Sequence, residues 1–344
     1  MHVSQRMRAA GVNLDETTTR KRLCDFIVRA AGAARVAVVT LERMSGGAVQ
    51  ENWALDVEVD GEPRRWVMRA DAAAAVRESS SRAQEFAVLK VMHAAAVRAP
   101  EPLFLCTDTA VTGRQFLIME RLPGVAAGHK VTRDRKLVPD PARLARELAE
   151  NLARVHRIGP LQPGLEFLKT MRARENIAHY RSYLATLPRA YPVLEWGLRW
   201  CEINVPARED TTFIHRDYRT GNFLVHDGHL AGVLDWEFPA FGNPHEDVGW
   251  MCARCWRFAR PDLPVGGIAQ LADFIPEYER ASGRTVAPHD LTYWQIMAHL
   301  RWAVIALQQV ERHLSGTEPS LELALTGHII GQLELEILNL TEHV

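Results

Sequence analysis

The sequence predicts an α+β protein in which a small antiparallel β lobe precedes a larger, mainly helical lobe. Residues 35–71 hold short β-branched and aromatic runs parted by glycine-bearing turns. From about residue 141 onward, apolar residues recur three and four apart. One strand-like stretch lies inside that second part, FIHRDYRTGNFLVHDGHLAGVLDWE (213–237), and it is crowded with polar groups that are costly to bury without partners.

In chain order, ETTTRKRLCDFIVRAA (16–31) sets Leu23, Phe26, Ile27 and Ala30 at helical intervals behind threonines that suit a helix start. RVAVVTLERM (35–44), ENWALDVEVDG (51–61) and EPRRWVMRAD (62–71) then read as strands joined by hairpins at Gly46-Gly47 and Asp60-Gly61. SSSRAQEFAVLKVMHAAAV (79–97) is a helix stopped by Ala99-Pro100-Glu101-Pro102, and FLIMERLPG (116–124) is a buried strand running into a turn. PARLARELAENLARVHRI (141–158) is a helix opened by Asp140 and Pro141. Further helices are expected over roughly 172–186, 190–202, 246–259, 268–282, 289–314 and 319–341, with short strands at 212–214, 223–226 and 231–235.

With 344 residues, 47% hydrophobic and 24% charged, the chain can build a sizeable core. Lysine plus arginine (41) nearly cancel aspartate plus glutamate (42), so no overall field favours nucleic acid or an anionic membrane, and composition sets no oligomeric state. The first twenty residues lack the pattern of a secretory leader and no long apolar run follows, so a cytoplasmic protein without a membrane partner is expected. The five cysteines are scattered. Cys252 and Cys255 form a C-x-x-C with no second pair and no histidine at zinc spacing, and are expected as packed or free thiols.

In the quoted stretch, two acids and an amide suit a divalent cation. Magnesium takes hard oxygen ligands, usually one or two from the protein, and fills its other positions with water and phosphate. Asn222 and Asp235 are the candidate ligands. Asp217, across a tight turn at Gly221, is placed to accept a proton from an attacking hydroxyl, while His215 braces the loop. Singly, each residue has an ordinary use in turns. The combination His-x-Asp-x-x-x-x-Asn, a strand, then Asp235 is specific.

Together HRDYRTGN, GVLDWE and FGNPHEDVGW resemble the catalytic-loop and metal-binding segments of the aminoglycoside phosphotransferase and choline kinase family, relatives of the protein kinases. The branch most alike is the one similar to the kinase domain attached to some acyl-CoA dehydrogenases, and a looser likeness runs from about residue 36 to 340. This resemblance implies a protein kinase-like two-lobe fold, with a nucleotide-binding lobe at 1–119, a hinge at 120–124, and a helical lobe at 125–344 carrying the catalytic loop and acceptor pocket. It implies ATP, with GTP as the alternative donor, and Mg2+. Asp217 then matches the aspartate that orients or deprotonates the acceptor hydroxyl, Asn222 and Asp235 the metal ligands, and Asp247 the acidic residue that supports the loop. Arg216 stands where the family often has glycine. Met44-Ser45-Gly46-Gly47 occupies the place of the phosphate-covering hairpin, which the three oxygen-bearing side chains should face. Arg69 and Glu85 occupy the places of the strand lysine and its helix glutamate; arginine keeps the charge but presents a planar fork. The Glu120 carbonyl and Leu122 amide are the expected partners of the nucleobase.

Glu237, two residues beyond Asp235, is expected to point toward the acceptor. Trp236, Trp256, Tyr293, Trp294, His299, Arg301 and Trp302 are further candidates, although aromatic residues at helical spacing more often belong to a core. Few acids lie between 262 and 300, which argues against a polycationic aminoglycoside. The implied reaction moves a γ-phosphoryl group to a hydroxyl of a small molecule, a hydroxylated metabolite or hydroxyacyl thioester. The alternatives are a catalytically silent nucleotide-binding scaffold, favoured by Arg69 and the short glycine loop, and an aminoglycoside or macrolide antibiotic kinase. A protein kinase is disfavoured, because there is no D-F-G and A-P-E pair and the span after Asp235 is too short for an activation segment.

Overall fold

The computed structural model describes residues 17–44, 51–71, 80–207, 210–258 and 260–342. The chain divides into two compact units, one made of residues up to Pro123 together with Trp236–Phe238, the other of Gly124–Asp235 and the residues from Pro239 onward.

In the first unit, α1 (Thr17–Ala31) precedes β1 (Val36–Arg43), β2 (Glu51–Val59) and β3 (Glu62–Ala70); α2 (Arg82–Ala94), β4 (Pro102–Cys106), α3 (Thr109–Thr112) and β5 (Phe116–Glu120) follow. The five strands form one antiparallel sheet in the order β1-β2-β3-β5-β4. Asp60 and Gly61 both take positive φ, 51° and 87°, giving a two-residue turn whose twist matches the strands and sets Val59 opposite Glu62. Leu23 and Ile27 of α1 pack on Leu55, Met68, Phe116 and Ile118 of the sheet. Ser81 caps α2 reciprocally with Gln84. The strand β4 lies where only a helix stop was expected; Pro102 opens it at the sheet edge, where a missing N–H is tolerated.

The second unit contains α4 (Gly128–Arg133), α5 (Pro141–Val155), β6 (Thr170–Met171), α6 (Ala173–Leu184) and α7 (Pro192–Ile203). Next come β7 (Thr212–Ile214), β8 (Phe223–His226), β9 (His229–Val233), β10 (Ala240–Gly242), α8 (His245–Cys252), α9 (Leu271–Ser282), α10 (Pro288–Leu314), α11 (Leu321–Thr326) and α12 (Ile330–Glu342). Asp140 opens α5 by accepting the Arg143 N–H at 2.9 Å, with Pro141 as the first helical residue. The helix expected at 246–259 ends at Cys252, and the one expected at 319–341 is two helices joined by a 3-10 turn at Gly327–Ile329. Ile177 and Tyr180 of α6, Leu194 and Leu198 of α7, and Tyr293, Trp294, Met297 and Leu300 of α10 share one core with Leu333 and Ile337 of α12. Tyr293 and Trp294, weighed above as pocket residues, are therefore core residues.

All five cysteines are free thiols, and burial pushes Cys252 up to about 12 and raises Cys255 as well. Among the described residues no helix is long and apolar enough to cross a membrane.

Candidate active site

In the second unit, β7 delivers the chain into the loop His215–Gly221, and β8 and β9 form the hairpin that carries Asn222 and Asp235. The hairpin turns at Asp227 and Gly228, both at positive φ, so His226 pairs with His229 and β9 ends at Val233. Asp235 consequently lies outside the strand, at φ 67°. Gly221, at φ 106°, makes the tight turn; a Cβ there would come within 2.8 Å of Arg219 Nη1.

The loop is held from behind by one carboxylate. Asp247 of α8 accepts the backbone N–H of His215 on Oδ2 and that of Arg216 on Oδ1, each at 2.7 Å. Two successive amides converge this way because Arg216 takes φ 65°, a conformation that glycine adopts without strain. His156 Nε2 completes the set, 3.1 Å from Asp247 Oδ2, while His156 Nδ1 meets the Tyr278 hydroxyl at 2.7 Å. Burial pushes the His156 imidazole down, so the neutral ring donates from Nε2 and accepts the Tyr278 O–H at Nδ1. Burial pushes the Asp247 carboxyl up, yet the hydrogen bonds it accepts from His156 and from the His215 N–H bring it below the usual carboxylate range.

His215 is fully buried. Its Nδ1 accepts the Asp217 N–H at 3.1 Å and its Nε2–H donates to the Leu234 carbonyl at 3.1 Å, tying the loop to the end of the hairpin. Burial lowers its imidazole too. Arg216 donates to Glu246 Oε1 at 3.1 Å, and Arg301 donates to the Arg216 carbonyl.

The structure brings Asp217 and Asn222 together. Asn222 Nδ2 donates to Asp217 Oδ2 at 2.6 Å and to the Asp217 carbonyl at 3.0 Å. With its amide nitrogen committed, Asn222 turns Oδ1 away from Asp217, and that oxygen takes no hydrogen bond among the described residues. Asp217 Oδ1 accepts two further donors absent from the sequence-based expectations, Arg219 Nε at 2.9 Å and Trp250 Nε1 at 3.0 Å. Arg219 stacks over Trp256 at 4.4 Å, Arg301 over Trp250 at 4.6 Å, and Trp256 lies against both Trp250 and Trp302. Asn222 and Asp235 offer oxygen atoms of the hard kind that magnesium takes, its remaining ligands coming from phosphate and water. Among the described residues no group of three histidine, cysteine, aspartate or glutamate side chains is arranged to hold a metal.

In the first unit, Arg69 on β3 pairs with Glu85 on α2 through Nε and Oε1 at 3.1 Å, both side chains buried. Glu237 also lies in this unit; its Oε2 is 3.7 Å from Arg69 Nη2, and its carbonyl accepts the Ser80 N–H at 2.9 Å. Glu120 ends β5 and donates its N–H to Glu101 at 2.9 Å, whereas the Leu122 amide makes no hydrogen bond among the described residues. Gly46 and Gly47 lie outside the described residues, so the hairpin that the acidic trio was expected to face is outside them as well.

Four histidines of the second unit carry a pH consequence. Burial pushes His156, His215 and His245 down and His299 down to about 4. Their folded values lie below the unfolded one, so the unfolded chain binds more protons once the pH falls under about 6.5. Stability is full above that value and is lost as pH falls toward the folded values, by about 1.4 kcal/mol per pH unit for each histidine in its window. Urea midpoints measured between pH 7.5 and 5 should fall steadily; a flat profile would mean that these rings take up protons without unfolding.

An antiparallel five-stranded sheet with a buried strand-to-helix ion pair, and a helical unit bearing the His-x-Asp-x-x-x-x-Asn loop, define the kinase-like fold class. Residues 40–284 match the phosphotransferase enzyme family, and the chain belongs to that family. Solved structures agree on the fold: a Ralstonia eutropha protein provisionally assigned as an aminoglycoside phosphotransferase superposes with a TM-score of 0.76 at 20% identity, over 94% of this chain and 98% of that one. A spectinomycin phosphotransferase in complex with ADP and spectinomycin gives 0.64 at 10% identity, over 93% and 98%. Among curated relatives, acyl-CoA dehydrogenase family member 10 of Mus musculus is 24% identical over 265 residues, 72% of this chain and 24% of that protein. The chain thus spans about a quarter of that relative and about a third of family member 11 of Pongo abelii.

Proposed function

We propose that this chain is an ATP-dependent, magnesium-requiring O-phosphotransferase acting on a hydroxyl of a small molecule. The observation that carries the reading is the lock between Asp217 and Asn222, which fixes one carboxylate and one amide oxygen in a single loop. Asp217 Oδ1 already holds two donors and Oδ2 one, so the remaining acceptor capacity of Oδ2 is where an acceptor hydroxyl binds. The acceptor oxygen forms a bond to the γ-phosphorus as the bond to the β–γ bridging oxygen breaks; the hydroxyl proton passes to Asp217 and ADP leaves. Asn222 Oδ1 and Asp235 would hold magnesium, which neutralises phosphate charge when bound. Arg69, kept in place by Glu85, binds nucleotide phosphate, and the Glu120 carbonyl and Leu122 amide read the base.

For the acceptor, a hydroxylated metabolite or hydroxyacyl thioester fits better than an aminoglycoside. Few acids lie between 262 and 300 to meet a polycation. The names of the curated relatives point the same way.

Thermal shift with ATP and Mg2+ separates this reading from a silent scaffold. At a hundredfold excess over Kd the nucleotide should stabilise the chain by about 2.7 kcal/mol, and Asp235→Ala should abolish the magnesium-dependent part. A screen of hydroxyl acceptors for ADP release then names the acceptor class. No stabilisation of the wild-type chain at any nucleotide concentration would falsify the proposal.

A further inference from the structure

Arg69 faces two carboxylates of the first unit. Its Nε lies 3.1 Å from Glu85 Oε1 and its Nη2 3.7 Å from Glu237 Oε2, with all three side chains buried. Glu85 cannot serve Arg69 alone, because its other oxygen accepts Nη1 of Arg82. Arg82 is fully buried and anchored in turn to Asp71 Oδ1 at 3.0 Å and to the Ser80 carbonyl at 3.1 Å. The charge of Glu85 is therefore divided between two guanidinium groups, and Glu237 is a second counter-charge beside Arg69. Its backbone fixes it there, since the Ser80 N–H donates to the Glu237 carbonyl.

We propose that Glu237 sets nucleotide affinity by holding Arg69 in an ion pair that a phosphate group must displace. This rests on the phosphotransferase reading, in which Arg69 binds nucleotide phosphate. A carboxylate and a phosphate are rival anions for one guanidinium fork, and each wants the same charge-assisted geometry. In buried surroundings the rivalry is screened far less than at a surface. Glutamine at 237 keeps the volume and the backbone bond to Ser80 but removes the charge.

Calorimetric titration with ATP and with ADP, each with and without Mg2+, tests this. Glu237→Gln should tighten binding about three- to tenfold in all four titrations, a modest effect because the Arg69–Glu237 contact is long at 3.7 Å. The double variant Arg69→Met/Glu237→Gln should bind no tighter than Arg69→Met alone. Glu237→Ala must move in the same direction as Glu237→Gln, and melts without nucleotide show which variants fold. Unchanged or weaker binding of Glu237→Gln overturns the proposal, and weakening confined to the magnesium titrations would give the carboxylate a metal-supporting role instead. A gain that survives in the double variant also overturns it, since the effect would then bypass Arg69. If the wild-type chain binds no nucleotide, the transferase reading itself fails; if Asp235→Ala loses magnesium-dependent binding while Glu237→Gln changes nothing, only the role of Glu237 is lost.

Discussion

Replacing Asp217 by alanine is expected to lower phosphoryl transfer by about 10²- to 10⁴-fold, the range for loss of a positioned general base, while magnesium-dependent nucleotide binding persists. The asymmetry follows from how Asn222 is held. Its Nδ2 donates both to the Asp217 carboxylate and to the Asp217 backbone carbonyl, and the second bond survives in alanine. Asn222 Oδ1 therefore keeps its direction. Asparagine at 217 should behave differently, although it is the closer isostere. Its oxygen must remain on the side of Arg219 and Trp250, which both donate, and this turns its own NH2 toward the Asn222 amide nitrogen. Two donors then face each other, Asn222 must flip or withdraw, and the metal-facing oxygen goes with it. Asp217→Asn should accordingly lose both transfer and much of the magnesium-dependent binding, whereas Asp217→Ala loses transfer alone. Single-turnover assays with an acceptor from the screen, paired with nucleotide titrations, read the two separately. Equal loss of binding in both variants would show that the carboxylate, not the amide, sets the metal position.

The fold was legible where local chemistry dictates it. The Asp60-Gly61 hairpin, the capped α2 and the proline-opened α5 each carry their own signals, and the structure shows each of them. β4 was hidden because Pro102 reads as a breaker unless the edge position is known. In the site, Asp217 and Asn222 were legible because they share one loop. Their supports were not, since Trp250 is 33 residues from Asp217 and His156 is 91 from Asp247. Arg219 is the exception: an arginine two residues after the aspartate was visible in the sequence and was passed over. β9 stops at Val233 and Asp235 turns through positive φ, so the short spacing from Asp235 to Glu237 does not reveal in the sequence that Glu237 lies beside Arg69.

Asp247→Ala is expected to cost about 3–5 kcal/mol of stability, since it orphans three donors at roughly 1–3 kcal/mol each. Three donors lose their acceptor at once: the N–H groups of His215 and Arg216 and the Nε2–H of His156. His156 and His215 are fully buried, so water cannot readily replace the missing oxygen atoms for them. A second penalty falls on the backbone. Arg216 holds a left-handed conformation that costs a bulky residue about 1–3 kcal/mol and persists only where the surroundings impose it. Asp247 is what imposes it, because that φ is what aims both amides at one carboxylate. Once Asp247 is gone, Arg216 should relax toward negative φ and swing Asp217 away from Arg219, Trp250 and Asn222. Denaturant unfolding should show the loss in midpoint, and hydrogen exchange should show the amides of 215–217 exposed well before those of α5 and α10. Asp247→Asn should recover little, since its NH2 must face at least one donor. If Asp247→Ala unfolded within about 1 kcal/mol of the wild type, the size of an ordinary surface change, the loop would be held by its own turn, and the carboxylate would be a bystander.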